Sequence, residues 1–432
     1  MLDLVLRGCR LPNRDGIADL AIADGRIVAI GPASAPARET IDVAGRLVTP
    51  GLVEAHIHLD KALLADRVSG SAGTPAEAIR LTGLAKRGFT VDDIASRARR
   101  VLDLAVAAGT TAMRAHVEVD PIVGLAGMDA ILPLQREYAP AIDIQLCAFA
   151  QEGIVKSPGT EALLRRALAM GAALVGGCPY NDTDAVRHIE VVFALAGEFG
   201  VDADFHVDFS DEPEHLHVRE IVRQTIRARW QGRVAVGHLT ELAALPGAEQ
   251  AALIAELADA GIGVISLPLT DLYLMGRRDT RNVRRGLTPI RRLLEAGIPV
   301  ALASNNIQNP FTPVGTADPA HLTFVGAVAA HMGTPEHLRD LVAAVTTHPA
   351  RILNLRDYGC APGRRADLVV WECQRVEEIV TSLPPRCLVV KAGRVTVELE
   401  RRLVERWRSA GAGPVKPFVN VTEGGIIAPF RM

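Results

Sequence analysis

The stretch GLVEAHIHLD, residues 51–60, decides the fold. It is an apolar run that ends in two histidines, His56 and His58, with Asp60 two residues further on. Side chains alternate between the two faces of a β strand, so an extended run here places both imidazoles on one side. Two imidazoles on the same face form a nitrogen-rich pair that suits a transition metal.

Seven further strand-like runs follow along the chain, separated by longer helical stretches. The eight runs are VEAHIHL, TAMRAHVEV, IDIQLCAFA, AALVGGCP, DADFHVDF, RVAVGHL, IGVISLP and PVALASNN. This alternation is typical of a parallel sheet with helices outside it. Eight such units within residues 51–354 predict a (β/α)8 TIM barrel. A doubly wound open sheet is the competing interpretation, but no GxGxxG motif follows the first run.

The two ends of the chain have a different sequence pattern. Residues 1–50 contain short apolar runs broken by turn signals such as NRDG, and the same pattern is found in ADLVVWEC and RCLVVKAGRVTVE. We therefore expect a small β-sandwich domain built from both ends, residues 1–50 and 355–410. The barrel would span residues 51–354, and residues 411–432 would form a C-terminal extension.

Polar residues interrupt the apolar runs at the carboxyl-terminal ends of the predicted strands, the face at which barrel enzymes assemble their active sites. They are His56, His58, His116, Gln151, His206, Asp208, His238, Asn305 and Asn306. Together with His206, the first two histidines form a set that suits Zn2+ or Fe2+. A buried polar network without a metal is the alternative.

PGLVEAHIHLDKALL, residues 50–64, resembles the metal-site motif of the amidohydrolase superfamily, in its cytosine deaminase branch. The likeness continues through AFAQEGIVKSPG, DFHVDFSDEP, VAVGHLTEL and the block that ends in ASNNIQNPF. It implies that His56, His58 and His206 bind one divalent metal ion per chain, Zn2+ or Fe2+, with Asn305 at the fourth ligand position. In this family the metal lowers the pKa of a bound water, and the resulting hydroxide attacks a carbon that bears nitrogen.

The resemblance also implies roles for residues around the metal. His238 matches the histidine that polarises the substrate and transfers protons. Gln151 matches the residue that binds a pyrimidine ring by its amide edge. Asn306 and Cys178 are further candidates for contact with the substrate.

Two positions depart from the family pattern. The deaminases have a proton-shuttling Glu three residues after the fifth-strand histidine, where this chain has Phe209, and an eighth-strand Asp, where it has Asn305. A phenyl ring cannot exchange a proton and a neutral amide is a poor base. Phe209 is instead expected to line the substrate pocket. Acids that could substitute as proton carriers are Glu118, Asp120, Asp208, Asp211 and Glu212, and Asp60 and Lys61 are candidates for an ion pair at the rim.

Three functions remain open from the sequence. The first is a metal-dependent hydrolase acting on a C–N bond of a small amide, urea, carbamate-like compound or N-heterocycle, with His238 as the proton-transfer group. The second is a deaminase of a cytosine-like or other aminated heterocycle. The third is a catalytically silent relative that binds a ligand.

The composition restricts the classes of molecule that this protein is expected to bind. The formal charge is −3 and 49% of the 432 residues are hydrophobic, which favours a large core and gives no indication of nucleic acid as a partner. No apolar run reaches the roughly 18 residues of a membrane span. The six cysteines show no CxxC spacing and are typical of reduced thiols. We expect a cytoplasmic enzyme with a small-molecule substrate, and the resemblance implies a homo-oligomer.

Overall fold

The computed structural model describes residues 1–33, 35–68 and 72–400. The strands of this part of the chain are β1 Leu2–Leu11, β2 Arg14–Ala23, β3 Arg26–Ile30, β4 Ala37–Asp42, β5 Leu47–Pro50, β6 Leu52–Ile57, β7 Thr110–Glu118, β8 Asp143–Ala150, β9 Leu174–Gly177, β10 Asp202–Val207, β11 Val234–His238, β12 Gly263–Ser266, β13 Val300–Leu302, β14 Leu368–Trp371, β15 Arg386–Lys391 and β16 Arg394–Glu398.

The helices are α1 Pro75–Lys86, α2 Val91–Ala107, α3 Ala126–Tyr138, α4 Thr160–Met170, α5 Ala185–Phe199, α6 Val218–Ala228, α7 Glu241–Ala244, α8 Gly247–Asp259, α9 Pro268–Leu274, α10 Ile290–Glu295, α11 Pro319–Ala329, α12 Pro335–Ala343, α13 Thr347–Ile352 and α14 Val376–Ser382. A 3-10 turn spans Pro179–Asn181. Among the described residues, no helix combines the length and the apolar character needed to cross a membrane.

Strands β6 to β13 form a parallel barrel in chain order, each paired with the next. The seam between β13 and β6 is closed by Asn305, which donates its N–H to the carbonyl of His56 and accepts the N–H of His58, both at 2.8 Å. All eight strands predicted from the apolar runs are present, and the predicted (β/α)8 barrel is confirmed. The strands are buried along their length because helices cover the outside of the sheet.

Local sequence explains where the helices begin and end. Helix α2 starts after Thr90, whose side chain accepts the N–H of Asp93, and its buried residues recur at three- and four-residue spacing. Helices α4 and α5 end at Gly171 and Gly200, which have φ values of 117° and 67°. Glycine adopts such left-handed conformations without a steric penalty.

Both chain ends contribute to a second sheet, in the order β16-β15-β14-β5-β1-β2-β3, with β4 paired to β1. Its two halves pack around one apolar core, to which Leu6 and Ile22 contribute from one half and Val370 and Val390 from the other. The predicted small β domain from both termini is therefore confirmed. Its boundaries stay predictions, and residues 401–410 together with the predicted extension 411–432 lie outside the described residues.

Glu54 reinforces the barrel seam from inside β6. Its buried carboxylate accepts the hydroxyl of Ser304 at 2.6 Å, the N–H of Ser304 at 3.1 Å and the N–H of His56 at 3.1 Å. Burial raises the pKa of Glu54 to about 7, although the hydrogen bonds from Ser304 and His56 act in the opposite direction. These bonds fix the segment after β13 against β6.

Replacing Ser304 with alanine removes the hydroxyl donor from a buried carboxyl group. We expect Ser304→Ala to lower the free energy of unfolding by about 1–3 kcal/mol, the range expected for losing one hydrogen bond to a buried carboxyl group. Urea unfolding measures this change. The matched control is Ser382→Ala at the exposed end of α14, expected to change stability by less than about 0.5 kcal/mol. Equal stability of the two variants would contradict this account of the seam.

Candidate metal centre and substrate pocket

Three buried histidines lie together at the carboxyl-terminal ends of the barrel strands. His56 belongs to β6, His58 follows it by two residues, and His206 belongs to β10. A ring nitrogen of each lies within 4.8 Å of those of the other two. The Nε2 atoms of His56 and His206 are 2.6 Å apart. The structure thus brings together the three histidines that the sequence predicts as metal ligands.

Several polar atoms of this cluster have no hydrogen-bond partner within the described residues. They are Nδ1 of His56 and both ring nitrogens of His58, all of them buried. Oδ1 of Asn305, whose backbone pairs with His56 and His58, is also buried without a partner among the described residues. Burial is the largest cause that lowers the pKa of all three histidines well below the usual value. Neutral imidazole is the form that binds metals, and unpartnered buried acceptors are costly without a cation. This donor set therefore fits a divalent ion.

A second group of potential ligands lies on the other side of His56. His116 on β7 stacks on the His56 ring with centroids 3.6 Å apart, and its Nε2 is 3.4 Å from Asp204. These three residues are also close enough to share an ion. Asp204, however, already forms a 2.8 Å ion pair with Arg114. The first group is the better metal candidate because its acceptors have no competing cation.

His238 lies at the end of β11 beside the cluster, with its ring 4.8 Å from that of His206. Its Nδ1 is 2.6 Å from Oδ1 of Asp271, a buried residue of α9 whose pKa is raised by burial. When the ring proton is on Nδ1, Nδ1 donates a hydrogen bond to Asp271, and the lone pair of Nε2 stays free. Sequence reasoning missed Asp271, although an acid inside the apolar run LPLTDLYLM was a visible signal.

Phe209 forms an apolar wall over this histidine. Its ring stacks on that of His238, with centroids 3.8 Å apart and an interplanar angle of 22°. It belongs to a buried apolar cluster with Ala72, Ala78, Ile79, Leu274, Met275 and Phe311. The position at which the family resemblance predicts a proton-shuttling glutamate therefore lies in an apolar environment.

The predicted substrate-binding residues fall into two places. Gln151 follows β8 and donates its Nε2 to Sγ of Cys178 at 3.2 Å, while its Oε1 accepts from Nζ of Lys61 at 3.2 Å. Asn306 lies after β13, and its Oδ1 accepts from Nδ2 of Asn309 at 2.7 Å. Gln151 and Cys178 thus form one polar edge with Lys61. Asn306 belongs to a loop network that meets this edge at Lys61, because Nδ2 of Asn309 also donates to the Lys61 carbonyl at 3.1 Å.

Lys61 does not pair with Asp60 as the sequence suggested. Its ammonium contacts Glu118 at 2.6 Å, and Glu118 also contacts Lys86 at 2.5 Å, all of them buried. Asp60 instead accepts the backbone N–H of Glu118 at 2.7 Å. Burial alone would raise the pKa of Glu118, but the charges of Lys61 and Lys86 outweigh it and lower that pKa to about 2. Glu118 is therefore an ion-pair partner and not a free proton carrier.

The other acids weighed as substitutes are bound elsewhere. Asp208 accepts the N–H groups of His217 and Val218 at the start of α6, and burial raises its pKa to about 8. Asp211 accepts the N–H of Gly276, and Glu212 pairs with Arg284. Asp120 pairs with Lys86 at 2.9 Å. In the described part of the chain, none of these carboxylates contacts a histidine of the metal cluster.

Known proteins resemble this chain over nearly its full length. A family model described as "Amidohydrolase family" matches residues 39–397. N-isopropylammelide isopropyl amidohydrolase from Pseudomonas sp. (strain ADP) is 28% identical over 407 residues, which cover 92% of this chain and 98% of that protein. Pterin deaminase from Rhizobium rhizogenes (strain K84) is 29% identical over 393 residues, 89% of each chain.

A solved structure agrees with these matches. The structure of 5-methylcytosine deaminase from Klebsiella pneumoniae with phosphonocytosine superposes on this chain with a TM-score of 0.88 and 31% sequence identity. The match covers 93% of this chain and 100% of the other. The likeness extends over both the barrel and the small β domain. The chain therefore belongs to the amidohydrolase family, in its cytosine deaminase-like branch, and is a hydrolase.

Proposed function

We propose that this enzyme is a metal-dependent hydrolase that cleaves the C–N bond between a planar nitrogen heterocycle and its amino or alkylamino substituent. The observation that carries the proposal is the set of unpartnered ligand atoms of His56, His58 and Asn305 beside the His238–Asp271 pair. The names of the related proteins support the heterocycle, since ammelide, pterin and 5-methylcytosine are all nitrogen heterocycles.

One divalent ion per chain would be bound by His56, His58 and His206, with the amide oxygen of Asn305 as a fourth, neutral ligand. Zn2+ and Fe2+ both accept imidazole nitrogen, so the donor set suits either. When bound, such an ion supplies a Lewis acid and an activated water for the attack on carbon.

In this proposal, two different surfaces beside the cluster would contact the ring of the substrate. A polar edge that can bind ring nitrogens and carbonyl oxygens is formed by Gln151, Cys178 and Lys61. The Lys61 ammonium has three N–H groups, of which Glu118 and Gln151 accept two. The face of Phe209 and the apolar cluster around it provide the other surface. A flat aminated heterocycle with an apolar substituent matches both.

His238 carries the proton transfer in this proposal. Asp271 orients its ring through Nδ1, so Nε2 can take a proton from the attacking water and return it to the leaving nitrogen. The C–N bond breaks as the new C–O bond forms, and ammonia or an amine leaves with that proton. Phe209 and Asn305 cannot perform this step, because neither side chain exchanges protons near neutral pH.

A panel assay tests the proposal. Metal-loaded protein is incubated with amino- and alkylamino-substituted pyrimidines, triazines and pterins, and with simple amides and ureas, and released ammonia or amine is quantified by mass spectrometry. We expect turnover of at least one aminated heterocycle and a loss of about 100-fold or more in His238→Asn. The control Arg165→Gln, at an exposed ion pair with Glu198, should match wild type. Turnover of amides or ureas alone, or none at all, would contradict the proposal.

Asp271→Asn isolates the orienting role of the buried carboxylate. An amide can donate to Nδ1 and so favour the tautomer whose Nε2 is protonated, which cannot act as a base. We expect kcat to fall by about 10^2- to 10^4-fold, while KM and metal content change little. Steady-state kinetics on the best panel substrate measures this split. A kcat within about twofold of wild type would exclude Asp271 as the residue that orients His238.

Phe209→Ala tests the apolar wall. Removing the ring deprives an alkyl substituent of its contact surface, so KM for an alkylamino substrate should rise about tenfold. This factor corresponds to the free energy gained by burying part of one apolar side chain. The matched control is Phe324→Ala on α11, since Phe324 is 47% exposed. An unchanged KM in Phe209→Ala would show that the wall does not contact the substrate.

A further inference from the structure

A cavity of about 390 Å3 lies beside the barrel mouth, apart from the histidine cluster. Its walls come from the segments that follow β10 and β11, from residues 284–292 and from the end of α11. His56, His58 and His206 are not among its lining residues. A volume of this order is in the range of cavities that bind small molecules in other proteins.

The lining of this cavity is cationic. It contains one acid, Asp211, whose carboxylate is already engaged with the backbone N–H of Gly276 at 2.8 Å. Two of its arginines have carboxylate partners at the rim. The four guanidinium groups of the lining are those of Arg284, Arg285, Arg291 and Arg292. Arg284 pairs with Asp279 and Glu212, and Arg291 pairs with Glu295, so within the described residues Arg285 and Arg292 are the lining arginines without a carboxylate partner.

Arg285 and Arg292 have neutral partners. Nη1 of Arg285 donates to the carbonyl of Ala329 at 3.0 Å and also contacts the ring of His331. Arg292 donates to Oε1 of Gln250. Within the described residues, neither guanidinium pairs with a carboxylate. Each presents five N–H donors in a fixed fork, so N–H groups remain for a further acceptor.

We propose that this cavity is a second binding site, specific for a small molecule that carries an oxyanion, with Arg285 and Arg292 as the recognising residues. Two arginines of one cavity that have no carboxylate partner provide the type of N–H donor that binds carboxylates and phosphates. Carboxylates and phosphates share this chemistry, and binding assays with each distinguish them.

The floor of the cavity adjoins the backbone of His238. Thr288, one of the lining residues, donates its hydroxyl to the His238 carbonyl at 2.6 Å. His238 and Leu239 have φ values of 70° and 55°, a left-handed conformation that is uncommon for residues with side chains. A ligand at Arg285 and Arg292 therefore lies against the segment that fixes this backbone, without contacting the metal ligands.

Isothermal titration calorimetry on the full-length, metal-loaded enzyme tests the proposal with two probes, inorganic phosphate and succinate. We expect saturable binding of about one equivalent of at least one of them, and the tighter binder identifies the anionic group. Arg285→Gln and Arg292→Gln should each weaken binding about tenfold or more, through loss of a charge-assisted hydrogen bond. The control Arg165→Gln removes an equal charge at a distant surface pair and should bind like wild type.

Two results would overturn the proposal. One is the absence of saturable binding of either anion to wild type. The other is equal binding by wild type, Arg285→Gln and Arg292→Gln, which would assign the anion to the metal centre or to another surface. Circular dichroism establishes that each variant is folded, and if Arg285→Gln fails to fold, Arg292→Gln decides.

Discussion

Barrel closure and the placement of the proposed metal ligands depend on the same two backbone hydrogen bonds. Asn305 donates to the His56 carbonyl and accepts the N–H of His58, both at 2.8 Å. It does so at a φ of 56°, a conformation that asparagine tolerates better than most residues. The hydrogen bond from the Ser304 hydroxyl to Glu54 stabilises the same seam. Closing the seam therefore brings His56, His58 and Asn305 to one point of the barrel mouth, where His206 completes the cluster.

The chemistry of the mouth is set by two missing carboxylates. Phe209 and Asn305 occupy positions at which the family resemblance implies acids, so in the proposed mechanism the carboxyl group that supports proton transfer is that of Asp271, through His238. The same replacement makes one wall of the pocket apolar, because Phe209 joins a cluster of buried side chains. Under the proposed function, Phe209 in place of a glutamate thus alters both the proton pathway and the surface that meets the substrate.

Local patterns predicted the fold and the residues of the histidine cluster, whereas they did not predict contacts between distant segments. The eight strands follow from apolar periodicity, and His56 and His58 share a face because strand side chains alternate. Asp271 is 33 residues from its partner His238, and its role exists only once α9 packs against β11. Lys61 turns to Glu118, 57 residues away, and not to its neighbour in sequence. Such pairings form only when distant segments pack together, so the neighbouring residues in the sequence do not reveal them.

The proposed site is expected to bind a divalent ion although Asn305 stands where the family resemblance implies an acid. The most direct measurement is metal content by plasma mass spectrometry on protein purified without added metal, for wild type, His56→Ala and Asn305→Asp. We expect about one Zn2+ or Fe2+ per wild-type chain and a loss of that metal in His56→Ala. A wild-type protein free of metal, with metal present in Asn305→Asp alone, would contradict this expectation.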